Sequence, residues 1–254
     1  MLTLKSPAEI ELMAEGGKRL AAVLYQLAAE TRAGVTTKQL DRIAYDLIHQ
    51  SGAKPAFLNY RPSGARRPYP YTLCASVNDV VVHGQPSDYV IRDGDLVKLD
   101  LGLVYKKFYS DSAITVEVGK VSPDAKRLVA ATAEALEAAI KAMKPGKTLG
   151  DLGAAIARVA EKRGCKVAEG LTGHGIGRAL HEDPAVFNFG NKGQGDELRP
   201  GMVLAIEPMF TLGGGAIKQT KDEAWATRDG SLAAHFEHTV AIVEGGAEVL
   251  TRHV

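Results

Sequence analysis

Apolar positions in the first fifty residues recur at intervals of three and four, the spacing of one helix face. Ser6-Pro7-Ala8-Glu9 opens this stretch with an N-cap serine, a proline at the first helical position and a glutamate placed to close a capping box, so a helix is predicted from there to about Ala29. Leu40, Ile43, Ala44, Leu47 and Ile48 predict a second helix that follows Thr36-Thr37 and ends near Gly52. Between Asp95 and Val118 the period changes. Leu96, Val97, Leu99, Leu101, Leu103 and Val104, followed by Ile114, Val116 and Val118, predict two paired strands. After Gly119 the helical period returns.

That return is a repeat. RAGVTTKQL at 32–40 matches KPGKTLGDL at 144–152 under a constant shift of 112, which also superposes Gly52 on Gly164. RDGDLVKLD at 92–100 matches RPGMVLAIE at 199–207, and DSAITVEVG at 111–119 matches EHTVAIVEG at 237–245. Three matches in the same order describe two copies of a helix-helix-strand unit, the second with longer insertions. The expected organisation is one catalytic domain over 1–254, with halves of approximately 1–119 and 120–254.

The repeat superposes acid on acid. Asp100 falls on Glu207 and Asp111 on Glu237, each in or at the end of an apolar strand. If the halves pack about a pseudo-twofold axis, four carboxylates converge on it. Burying one unpaired carboxylate already costs several kcal/mol, and four would repel one another, so cations are expected among them. Carboxylates are hard oxygen donors that can hold two divalent ions about 3.5–4 Å apart when some of them bridge.

Composition narrows the picture. A chain of 254 residues with 45% hydrophobic and 24% charged positions can bury a sizeable core. The formal net charge of +1 gives no overall pull toward nucleic acid or an anionic membrane. Cys74 and Cys165 cannot form a disulfide framework, no 18-residue apolar window occurs, and the N-terminus lacks a signal-peptide pattern. A cytoplasmic protein is expected.

The stretch LTGHGIGRALHEDP at 171–184 sets His174 and His181 seven residues apart among glycines. Neither a GxGxxG fingerprint nor a P-loop lysine, Cys-rich or HExxH spacing or a GxSxG elbow is present, which argues against phosphate cradling, a structural zinc site and serine catalysis. The glycines are expected to let the backbone approach the metals. His174 would then add one imidazole nitrogen to the acids, leaving His181 free to meet substrate.

CASVNDVVVHG (74–84), LDLGLVYKKFYSDSA (99–113), GHGIGRALHEDP (173–184), IEPM (206–209) and FEHT (236–239) together resemble the type I methionine aminopeptidases, over nearly the whole chain. The resemblance implies an α/β (α+β) pita-bread fold, two pseudo-twofold-related halves around a central antiparallel sheet. It implies that Asp100 binds one metal, that Asp111 and Glu237 bridge both, and that His174 and Glu207 complete the other. It further implies removal of the N-terminal methionine from nascent proteins by hydroxide generated at the two ions. In that scheme Glu207 shuttles a proton, and His83 and His181 contact the scissile peptide as catalytic histidines that are not ligands. Cys74, Tyr60 and Trp225 correspond to the lining of the methionine pocket.

Three features depart from the family's pattern: Leu180 stands where an aromatic is usual, Phe57 replaces a cysteine, and SGARRP at 63–68 lengthens a loop. Co, Mn, Fe(II) and Zn all suit the donor set. A monomer acting on N-terminal peptides is expected, with ribosome contact left open. The same fold serves Xaa-Pro aminopeptidases, which usually carry an extra N-terminal domain, and non-enzymatic binding proteins that have lost ligands. A helical repeat starting at residue 6 leaves no space for the former's domain, and five intact ligand positions disfavour the latter.

Overall fold

The computed structural model describes residues 3–61 and 64–252. Four helices carry the two copies: α1 (Pro7–Glu30) and α2 (Thr37–Gln50), then α3 (Pro123–Ala142) and α4 (Leu149–Arg163). The capping box predicted at Ser6 is formed, with Ser6 N donating to Glu9 at 2.8 Å and the serine side chain accepting from Glu9 N. Thr36 and Gln39 form a second box on α2. These side chains absorb helix N–H groups that have no partner within the helix.

The helices back a nine-stranded antiparallel sheet. Its path runs Lys54–Pro55, Leu96–Tyr105, Phe108–Glu117, Glu237–Val243, Val203–Ile206, Thr172–Gly175, Glu182–Phe187, with two further strands, Leu73–Val77 and Gly246–Val249, paired alongside. The strands the repeat superposes stand at matching distances from the join between Phe108–Glu117 and Glu237–Val243: these two meet there, and Leu96–Tyr105 and Val203–Ile206 lie one place out on either side. This is the pita-bread arrangement.

Each half has its own core. Leu20, Leu27, Leu40 and Ile48 of α1 and α2 pack on Val97, Leu99, Leu101 and Leu103. Leu128, Ala135 and Ile156 of α3 and α4 pack with Leu204, Phe210 and Val240. Because strand side chains alternate, turning Val97, Leu99, Leu101 and Leu103 toward the helices turns Lys98, Asp100 and Gly102 to the opposite, concave face.

Both cysteines are buried free thiols. Among the described residues no helix is long and apolar enough to cross a membrane. Of the loop lengthened at 63–68, Ser63 lies outside the described residues, whereas Arg66 and Arg67 border the cavity on the concave face.

Candidate metal centre and active site

Sheet register assembles the acids. Asp100 pairs with Ala113, and Ala113 pairs on its other side with Glu237. One step further along the register of the Glu237 strand with Val203–Ile206, Glu237 comes opposite Glu207. A second row runs beside the first: Gly102 opposite Asp111, then Thr239 opposite Ala205, and Ala205 opposite His174. Residues directly opposite share a face, so both rows point into the concave side. Ala113 separates Asp100 from Glu237, and Thr239 and Ala205 separate Asp111 from His174.

The strands at the join share only two register pairs, Glu237 with Ala113 and His238 with Ser112. Buried hydroxyls extend the contact. Ser112 Oγ donates to Glu237 O at 2.8 Å, Thr239 Oγ1 to Asp111 O at 2.8 Å, and Thr115 Oγ1 to His235 O at 2.7 Å. The backbone of each acid at the join is thereby held by the opposite half.

Burial pushes all four carboxyl groups above the usual carboxylate range: Asp111 to about 7, and Asp100, Glu207 and Glu237 well above it. For Asp100, Glu207 and Glu237 the neighbouring acids add to the effect. Asp111 Oδ1 and Glu237 Oε1 are buried with no hydrogen-bond partner. His174 Nδ1 donates to Gly175 O at 2.8 Å, which leaves the Nε2 lone pair facing Glu207 Oε1 at 3.7 Å. Burial pushes this imidazole down to about 3, so it is neutral and able to ligate. Single donor atoms of Asp111, His174 and Glu237 lie within 4.8 Å of one another. Uncommitted carboxylate oxygens beside a neutral imidazole fit a divalent cation and suit no apolar ligand.

All ten residues singled out from the sequence line one cavity of about 410 Å³. His181 faces it from beside His174, their ring centroids 4.3 Å apart, and Tyr60 bonds His181 Nδ1 at 2.7 Å. Burial lowers His181 and raises the Tyr60 hydroxyl, so a neutral imidazole and a protonated phenol share this hydrogen bond. His83 opens onto the cavity at a positive φ of 60° and, crowded by surrounding protein and then by His181, is pushed down to about 4. Trp225 pairs with Val82, next to His83. Phe57, Cys74 and Leu180 pack in one cluster with Tyr60. Two of the three departures from the family pattern therefore sit together at the proposed methionine pocket.

Two features were not legible from spacing. His235 is 1% exposed, neither ring nitrogen has a hydrogen-bond partner, and its Nε2 stands 3.7 Å from Glu207 and 3.9 Å from Glu237. A histidine two residues before a strand acid is the signal that could have found it, but the strand breaks at Phe236, so a period-two reading fails there. The loop glycines also answer to different neighbours. A Cβ at Gly173 would meet Ala205 O at 2.3 Å, one at Gly175 would meet Asp183 O at 2.2 Å, and one at Gly177 would meet Lys5 Cε at 2.2 Å. Gly173 and Gly175 admit adjacent strands and Gly177 admits the Lys5 side chain, so the strand that carries His174 can lie close to its neighbours.

Known proteins share this pattern. A model of metallopeptidase family M24 matches residues 11–244. A methionine aminopeptidase of Aquifex aeolicus is 46% identical over 98% of this chain and 98% of its own, and one of Clostridium perfringens is 43% identical over 99% of each. The crystal structure of a methionine aminopeptidase from Thermotoga maritima superposes with a TM-score of 0.94 at 42% identity, covering all of both chains.

Proposed function

The chain belongs to metallopeptidase family M24, and on that premise we propose that it is a methionine aminopeptidase that removes the first residue from the N-terminal peptides of nascent proteins. The observation that carries the reading is the convergence of Asp111, His174 and Glu237 within 4.8 Å, beside carboxylate oxygens that have no other partner. In this reading Asp100 would hold one divalent ion, His174 with Glu207 would hold the second, and Asp111 and Glu237 would be shared between them. The ions are drawn from Mn, Fe(II), Co and Zn. When bound, they would supply Lewis acidity at the scissile carbonyl and a water acidic enough to attack near neutral pH.

The protein's own groups do the rest. The methionine side chain enters the space bounded by Tyr60, Cys74 and Trp225, where burial and the nearby Asp100 keep the Cys74 thiol protonated and unreactive. With Tyr60 donating to Nδ1, His181 presents an Nε2–H and donates it to the carbonyl oxygen as negative charge grows there. His83, neutral at pH 7, accepts the N–H of the peptide bond and orients it. Glu207, deprotonated once a cation is beside it, would take the proton released by the attacking water and deliver it to the departing amine. One chain carries every proposed donor, so a monomer suffices, and a nascent-chain substrate implies a cytoplasmic site of action.

Methionine release from Met-Ala-Ser by protein supplied with Mn(II) tests the proposal. Cleavage of Xaa-Pro peptides without methionine release would transfer the assignment to the proline-selective peptidases. Silence on both substrates would leave a binding role.

A further inference from the structure

The turn that carries His181 is tied to the first residues of the chain. Glu182 Oε1 accepts the backbone N–H of Arg178 at 2.7 Å and of Ala179 at 3.0 Å, closing the turn on itself. Its other oxygen accepts from Thr3 Oγ1 at 2.6 Å and from Lys5 Nζ at 2.5 Å. Lys5 is fully enclosed, its side chain 1% exposed against 11% for Glu182. Its ammonium also donates to Thr3 O and Thr3 Oγ1 at 3.2 and 3.1 Å, and its backbone N–H bonds Gly201 O at 2.7 Å. The lysine stem runs directly under the turn at the absent side chain of Gly177. Leu180 shares a buried apolar cluster with Ile10 and Met13 of α1.

A carboxylate this enclosed keeps its charge only with a cation beside it. Arg178 does not serve, since its guanidinium pairs with Glu9. Without Lys5, Glu182 would have to find water or take up a proton, and either would loosen its hold on the Arg178 and Ala179 amides. His181 is the next residue along the chain, and its ring has to meet Tyr60 on one side and substrate on the other.

We propose that Lys5, outside the 11–244 stretch matched by the family model, is a positioning residue: through Glu182 it fixes the 177–182 turn and so sets the placement of the His181 imidazole. The inference rests on the proposed role of His181. A displacement on the order of 1 Å in such a group costs about 100-fold in rate, so Lys5→Met, which keeps the stem against Gly177 and removes the charge, is expected to lower kcat roughly 10- to 100-fold, with KM and bound metal little changed.

The decisive measurement is a double-mutant comparison on the metal-loaded enzyme. In a His181→Ala background, Lys5→Met should lower kcat by less than about twofold, because the group it positions is gone. An equal fall in both backgrounds would mean general loosening of the fold and overturn the proposal, as would wild-type kcat in Lys5→Met alone. Glu182→Gln, an isosteric change, gives the same comparison if Lys5→Met does not fold. Should His181→Ala by itself retain wild-type kcat, the role given to His181 fails instead.

Discussion

Thr239 and Asp111 exchange two hydrogen bonds across the join between the halves: the hydroxyl donates to Asp111 O at 2.8 Å and accepts the Asp111 N–H at 2.9 Å. A side chain here replaces a backbone partner where the regular ladder stops. Thr239→Val keeps the shape and leaves both groups of Asp111 unpaired in a buried place. The expected cost is about 2–4 kcal/mol, read as a lower urea midpoint with unchanged slope, whereas Thr239→Ser should retain most of the stability. An unaltered midpoint in the valine variant would show that the hydroxyl does not secure the join.

Asp111→Asn separates the proposed chemistry from the fold. A neutral amide bridges two cations poorly, so peptide hydrolysis should disappear and metal stoichiometry fall. The metal-free variant should be at least as stable as the parent near pH 8, because it no longer buries a carboxyl group whose charged form burial disfavours. Retention of most turnover in this variant would refute the bridging role.

Much of this centre could be read in advance because its determinants are local and repeated. The Ser6–Glu9 box, the shift of 112 and the superposition of Asp100 on Glu207 need only spacing, and strand alternation then turns the acids to one face. What stayed hidden depends on partners far apart in sequence. Lys5 meets Glu182 across 177 positions, and Thr115 meets His235 across 120. No period along the chain encodes such pairs, and the glycines of the His174 loop, read alone, do not say which neighbour they make room for.

His181→Ala is expected to lower turnover by roughly 100- to 1000-fold, the usual consequence of removing one donor to a developing oxyanion. Bound metal should not change, since His181 Nδ1 is already engaged by Tyr60. Tyr60→Phe should cause a smaller fall in kcat, as it frees the ring to take the wrong tautomer without removing it. Metal analysis by emission spectroscopy alongside kinetics checks both variants. Loss of an ion in His181→Ala would place the imidazole among the ligands.

The carboxyl cluster also fixes the sign of a pH dependence. Asp111 titrates near 7 in the metal-free fold, and Asp100, Glu207 and Glu237 are likewise raised above their unfolded range. Above roughly pH 7, where the histidines of the unfolded chain have released their protons, the metal-free native state holds more protons on these acids than the unfolded chain does, so its stability falls as pH rises from there toward 9. Below that window the trend is offset, because burial pushes His83, His174, His181, His235 and His238 down and the unfolded chain takes up protons there that the fold does not; Lys98, pushed down to about 7 by burial, opposes part of the trend above it. Cations bind the deprotonated acids, so binding expels protons and strengthens over the same window. The melting temperature of chelator-treated protein is thus expected to decline from about pH 7 to pH 9, while the increment given by added Mn(II) grows. Calorimetry in buffers of different ionisation enthalpy would count the protons released. A metal-free melting temperature that stays level or rises between pH 7 and pH 9, with no proton release on binding, would mean that the four acids do not share one buried site.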